Sequence, residues 1–110
     1  MAKLKRHHEA EEKIKEAEEF FRENGSTHEV QAKLILGYAK IALEKRDWVR
    51  ATEVLEEYVR YNDTDTQEFT QDLGFAYEKL GLMMIYLNEL PKAKKYIERG
   101  FYVRNQMFKG

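Results

Sequence analysis

Two pairs of side chains near the start of the chain have the spacing of a metal clamp. In "HHEAEE", His7 and Glu11, and His8 and Glu12, stand four residues apart, so on a helix each pair shares a face and could bridge a divalent cation. A zinc-protease site needs two histidines four apart with a glutamate after the first, and that order is missing. A solvated helix face is the simpler reading, and no metal is assigned. His28 has no evident partner and is assigned no role. Further on, "NDTDTQE" offers Asp63, Asp65 and Glu68. Counted from Asp63, the sixth and twelfth places of a calcium loop hold Glu68 and Gly74, where glycine and glutamate are required. Helix capping accounts for that cluster. With no nucleophile signature and no glycine-rich phosphate loop, neither an enzymatic activity nor a cofactor is expected.

The last segment interleaves cations with rings. Lys92, Lys94, Lys95, Arg99, Arg104 and Lys109 alternate with Tyr96, Phe101, Tyr102 and Phe108, a pattern in which rings stack on bases while cations meet phosphates. The competing reading places Tyr96, Ile97 and Phe101 in the core and the lysines on the solvated face of a helix, near its negative end. Nineteen basic against twenty acidic residues give a net charge of −1, which supplies no global field for a nucleic acid or an anionic membrane and favours the second reading. Met107 and Phe108 are left as candidates for an exposed assembly contact.

These residues must be held by some scaffold. At 110 residues, 43% hydrophobic and 35% charged, the chain has material for one domain, 1–110, and is too apolar for disorder. Cysteine is absent, which excludes disulfides and thiolate chemistry and suits a reducing compartment. The basic start leads into no continuous apolar segment, and "LGLMMIYL" is too short to cross a bilayer. A cytoplasmic protein without membrane contact is expected.

Breakers divide the chain into five helices. The first covers 3–23 and ends at "NG", the pair most tolerant of a left-handed stop. Ser26 and Glu29 have capping-box spacing for a second helix from Thr27, which is apolar on more than one face. Asp47 is the N-cap expected for a third, amphipathic helix bearing Trp48, Ala51, Leu55, Tyr58 and Val59. Asp65 with Glu68, or Thr64 with Gln67, would open a fourth helix over roughly 66–87. "NELP" ends it, where Asn88 can cap and Pro91 is tolerated in the first turn of a fifth. No segment alternates like a strand, so the fold is all-α.

A period of 42 residues runs through the second half. It sets Ala51 opposite Ala93, Leu55 opposite Ile97 and Trp48 opposite Leu90. Tyr77, Leu80, Gly81 and Met84, followed by Ala93 and Ile97, approximate the signature W-x2-L-G-x2-Y…A-x3-F, as do Ile35, Tyr38, Ala39 and Ala42 followed by Ala51 and Leu55. In these residues the chain resembles the tetratricopeptide repeats, here with an elongated unit and without the closing proline. The surplus lies between Ala51 and Tyr77 and is read as longer helices. The resemblance implies five antiparallel helices in a right-handed array: a degenerate or capping helix 3–23, then repeats 28–63 and 65–107. It also implies that Ala39, Trp48, Ala51, Leu55, Gly81, Leu90, Ala93 and Ile97 pack the repeats. The first helix of each pair would line a groove with Lys33, Leu36, Gly37 and Lys40, and with Phe75, Glu78, Lys79 and Leu82.

The function so implied is a non-enzymatic scaffold or adaptor that binds a protein or peptide in that groove, unless the first helix fills it. Two alternatives stand beside it. One is a subunit of a nucleoprotein complex using the basic last helix, and the other is a self-associating or designed helical-repeat module, hence a homo-oligomer.

Overall fold

A computed structural model describes the backbone of residues 2–65 and 67–109 and the side chains of 6–65 and 67–108. Among these residues the chain is all-α, with α1 (Ala2–Asn24), α2 (His28–Glu44), α3 (Trp48–Asn62), α4 (Gln71–Tyr86) and α5 (Leu90–Lys109). They form two compact units, Met1–Val54 and Leu55–Gly110, with the boundary inside α3.

The helix ends follow from local chemistry. Asn24 closes α1 by donating its side-chain amide to the Phe20 carbonyl, and Gly25 comes next with φ +86°, as "NG" requires. Thr27, rather than Ser26, caps α2: its hydroxyl accepts from the Val30 N–H at 3.2 Å. Ser26 lies one residue too early for that donor and instead accepts from the Gln31 side-chain amide at 2.7 Å. Asp47 caps α3 as expected, accepting from the Arg50 N–H.

The two turns that link α2 to α3 and α4 to α5 are copies at the 42-residue period. Arg46 N–H donates to the Leu43 carbonyl and Asp47 N–H to the Ala42 carbonyl; in the second copy Asn88 N–H donates to Ile85 and Glu89 N–H to Met84. Arg46 and Asn88 take the left-handed conformation, at φ 60° and 59°. Both are Schellman closures, and the left-handed residue that completes each is not glycine. Asn88 therefore ends α4.

The surplus length of the repeat is connection, in place of the longer helices expected. α4 begins at Gln71, capped by Thr70, whose hydroxyl accepts from the Leu73 N–H at 3.2 Å. The Asp65/Glu68 and Thr64/Gln67 pairs lie before it, and Thr66 falls outside the described residues.

Within the first unit α1 packs antiparallel on α2. The start of α1 meets the end of α2 and its later part meets the middle: His7 Nε2 lies 3.0 Å from Glu44, Glu11 accepts from Lys45 just past α2, and Glu18 bonds Tyr38. Gly37 makes the close approach possible, since a Cβ there would stand 3.0 Å from Ile14 Cδ1. Ala32, Leu36 and Ala39 of α2 are buried along one stripe, at helical spacing.

Within the second unit α4 and α5 form an antiparallel hairpin. A Cβ on Gly81 would stand 2.6 Å from Ile97 Cγ1, and one on Gly100 3.2 Å from Tyr77 Cβ. Leu73, Ala76, Leu80, Ala93 and Val103 fill the hairpin's core, together with Leu55 of α3.

Candidate interaction surface

The α4–α5 hairpin leaves one long apolar face open. On α5, Leu90, Ile97, Phe101 and Phe108 are 57%, 38%, 65% and 89% exposed. Steps of seven, four and seven residues place all four within about 40° of arc at 3.6 residues per turn. The buried residues Ala93, Gly100 and Val103 point elsewhere on the same helix. Beside this stripe, α4 adds Leu82 and Ile85, 39% and 45% exposed. The two helices are bound along the seam, where Arg104 donates to Glu78 at 2.6 Å and Ile97 lies over Gly81. On the far rim Lys94 and Glu98 pair at 3.9 Å. A face of this length without polar cover is the type of surface that marks an interaction site.

The opposite side of α5 is polar and anchored. Asp63 accepts two hydrogen bonds from the Arg99 guanidinium, both at 2.7 Å, and a third from the Tyr77 hydroxyl. Arg99 also lies over the Phe69 and Tyr102 rings, 5.4 and 4.7 Å from their centroids. The arginine holds the Asp63 carboxyl below its usual range, outweighing the opposing effect of burial. Burial first, then the hydrogen bond to Asp63, raises the Tyr77 phenol. Tyr96 donates to Glu56 at 2.7 Å, and burial with that bond pushes its phenol up to about 12. An open depression of about 650 Å³ between these groups is lined by Glu56, Arg60, Tyr77, Tyr96, Arg99 and Tyr102. Tyr77, Tyr96 and Arg99 each already have an acceptor in the chain, so the network ties Asp63 and α3 to α5.

The residues read as repeat packing divide. Ala39, Ala51, Leu55, Gly81 and Ala93 are buried. Trp48 is half-buried at the first position of α3. Leu90 is a correction: at the first position of α5 it sits on the open stripe, away from the core-facing side defined by Ala93. Ile97 straddles both roles, touching Gly81 while remaining part of the stripe.

Of the residues read as groove lining, Leu36 is buried at 5% exposure and turns inward with Ala32 and Ala39. Lys33 pairs with Glu29 at 3.6 Å, and Lys40 is exposed. In the other unit Lys79 sits 5.5 Å over the Phe75 ring, Glu78 is held by Arg104 and Leu82 is open. Gly37, the next residue to Leu36, is covered by Ile14 of α1.

The histidine pairs also divide. His8 and Glu12 do meet at 3.0 Å, whereas His7 turns to Glu44 and Glu11 to Lys45. Among the described residues no three His, Asp or Glu side chains come together to hold a metal ion, and no helix is long and apolar enough to cross a membrane. The stripe itself is legible in the positions of Leu90, Ile97, Phe101 and Phe108. The repeat period draws Leu90 and Ile97 inward, the core reading of the last helix does the same for Phe101, and only Phe108 stands out in the sequence as an exposed contact.

Fold and surface together define a small all-α protein of antiparallel helix hairpins with an unpaired apolar face. No protein family, curated protein or solved structure to which the chain was compared matches it.

Proposed function

We propose that the protein is a non-enzymatic, cytoplasmic binding module of tetratricopeptide-like repeats that recognises protein through the open face of α4 and α5. The observation that carries this is the stripe of Leu90, Ile97, Phe101 and Phe108 beside Leu82 and Ile85. Binding buries those side chains, and the charged pairs on the α4–α5 seam and the far rim limit the approach of a partner. The repeat reading is supported by the duplicated turn at a period of 42 residues. It is also supported by the pairings Glu56–Tyr96 and Asp63–Arg99, which rise together along α3 and α5 as parallel second helices of successive repeats would.

Protein is favoured over nucleic acid because Arg99 and Arg104 of the basic helix are each held by a carboxylate, which lowers the charge available for phosphate. The first unit offers less, since α1 already lies over Gly37 of the groove-forming helix.

A photo-crosslinking residue placed at position 101, and a control at the exposed Glu53 on α3, test this reading in cell extract. Protein adducts at 101 that disappear with Leu82→Glu support it. Equal labelling at both positions overturns it.

A further inference from the structure

The stripe on α5 reads the same in both directions. From Leu90 the steps are seven, four and seven residues, and from Phe108 they are again seven, four and seven. We propose that the occupant of this face is a second copy of the chain, docked through α5 in antiparallel two-fold fashion; this rests on the reading of the face as a protein-binding surface. A two-fold axis level with Arg99 puts Leu90 opposite Phe108 of the other copy and Ile97 opposite Phe101. Each facing pair joins one aliphatic side chain to one ring, so large groups meet small ones along a stripe about 27 Å long at 1.5 Å per residue. In an isologous contact of this kind each pairing occurs twice, residue i on residue j and j on i, so the stripe of one copy is covered along its whole length by that of the other.

Two further properties of the face fit a copy of itself. The charged groups at the face balance: Glu78 with Arg104 on the α4–α5 seam and Lys94 with Glu98 on the far rim carry two groups of each sign. A like copy meets no net repulsion, and a strongly charged partner meets no attraction. The size also suits. Taking about 200 Å² for a large apolar side chain, the exposed fractions of Leu82, Ile85, Leu90, Ile97, Phe101 and Phe108 leave about 650 Å² per copy. With all six side chains fully covered, two copies would bury at most about 1,300 Å², at the lower end of the range of roughly 1,200–2,000 Å² for standard specific interfaces.

The chain has no cysteine, so single thiols report the geometry cleanly. Leu90→Cys and Phe108→Cys both fall on exposed positions, and circular dichroism verifies that each variant keeps its helices. The variants are oxidised separately and as a mixture, and the disulfide-linked peptides are identified by mass spectrometry. The antiparallel dimer predicts several-fold more cross-linked product in the mixture than in either variant alone, through a 90–108 linkage between copies. Equal linkage within each separate variant means a parallel or unspecific encounter and overturns the proposal. So does the absence of any linkage, or a monomeric mass of the unsubstituted chain at the same concentrations. In that event, Leu82-dependent adducts at position 101 with a different protein would leave the surface intact as a binding site and remove the second copy as its occupant.

Discussion

Gly81→Ala asks how closely α4 and α5 pack. Replacing a glycine inside a helix by alanine ordinarily stabilises by about 1 kcal/mol. Here the new Cβ would lie 2.6 Å from Ile97 Cγ1 and 3.3 Å from Ile97 Cδ1. Carbon atoms pack at about 3.5–4.0 Å, so Ile97 must retreat by about 1 Å. The obstructing atom is next to the branched Cβ, whose rotamer is stiff, and the Ala93 carbonyl at 3.7 Å leaves little room to slide. Overpacking of this type costs about 1–3 kcal/mol. Taking about 2 and subtracting the propensity gain leaves a net loss of about 1 kcal/mol, or a Tm lower by roughly 4 °C.

Urea unfolding followed by circular dichroism measures it, in the unsubstituted background and with Ile97→Ala. Removing Cγ1 frees the space, so Gly81→Ala should turn from destabilising to stabilising, a coupling of about 2 kcal/mol. Each comparison holds residue 97 constant, so any effect of Ile97→Ala on self-association cancels. If Gly81→Ala stabilises equally in both backgrounds, the close approach of α4 and α5 at this point is wrong.

Two other outcomes rest on the same structure. Asp63→Asn removes the acceptor of Arg99 and Tyr77 and should cost about 2 kcal/mol at neutral pH, as for hydrogen bonds to charged groups. Because the folded Asp63 pKa is depressed, that contribution is present above the ordinary carboxylate pKa of about 3.9 and is lost as pH falls through the lower folded value. The gap between wild type and variant should therefore close in acid; a gap that persists there would contradict the ion-pair account. Arg46→Gly relieves a non-glycine left-handed residue, which costs about 1–2 kcal/mol, less the extra chain entropy of glycine at about 0.5–1. A gain of about 0.5 kcal/mol in thermal unfolding is expected, and a loss would mean the Arg46 side chain has a stabilising role that the turn geometry does not include.

What is legible in the sequence is what is encoded locally. The stop at Asn24 and Gly25 and the Asp47 cap depend on spacings of three to four residues and appear as expected, and Ala39, Ala51, Gly81 and Ala93, matched by one fixed period, are buried. Ser26 and Thr27 are adjacent hydroxyls with nearly the same view of the helix start, so spacing alone does not choose between them. Around residues 64–70 several capping pairs compete, and the choice of Thr70 places α4 well past the expected 66. The Asp63–Arg99 clamp joins residues 36 apart and has no local signature. Leu90 and Ile97 illustrate the main difficulty: a repeat pattern fixes where a residue recurs, but burial depends on which neighbouring element covers it in space. No described helix covers the stripe, so positions that the repeat period reads as buried are open.

The central claim is that this open face is a binding surface filled by a second copy. Sedimentation equilibrium on the unsubstituted chain and on Phe101→Glu, from about 1 to about 100 µM, tests it most directly, since interfaces of this size reach micromolar affinity or better. A self-docking face predicts that the unsubstituted chain moves with concentration from 13.2 kDa toward twice that mass. Phe101→Glu, equally helical, should stay at 13.2 kDa. An unsubstituted chain that remains a monomer throughout, or a variant that dimerises as well as it does, would contradict the claim.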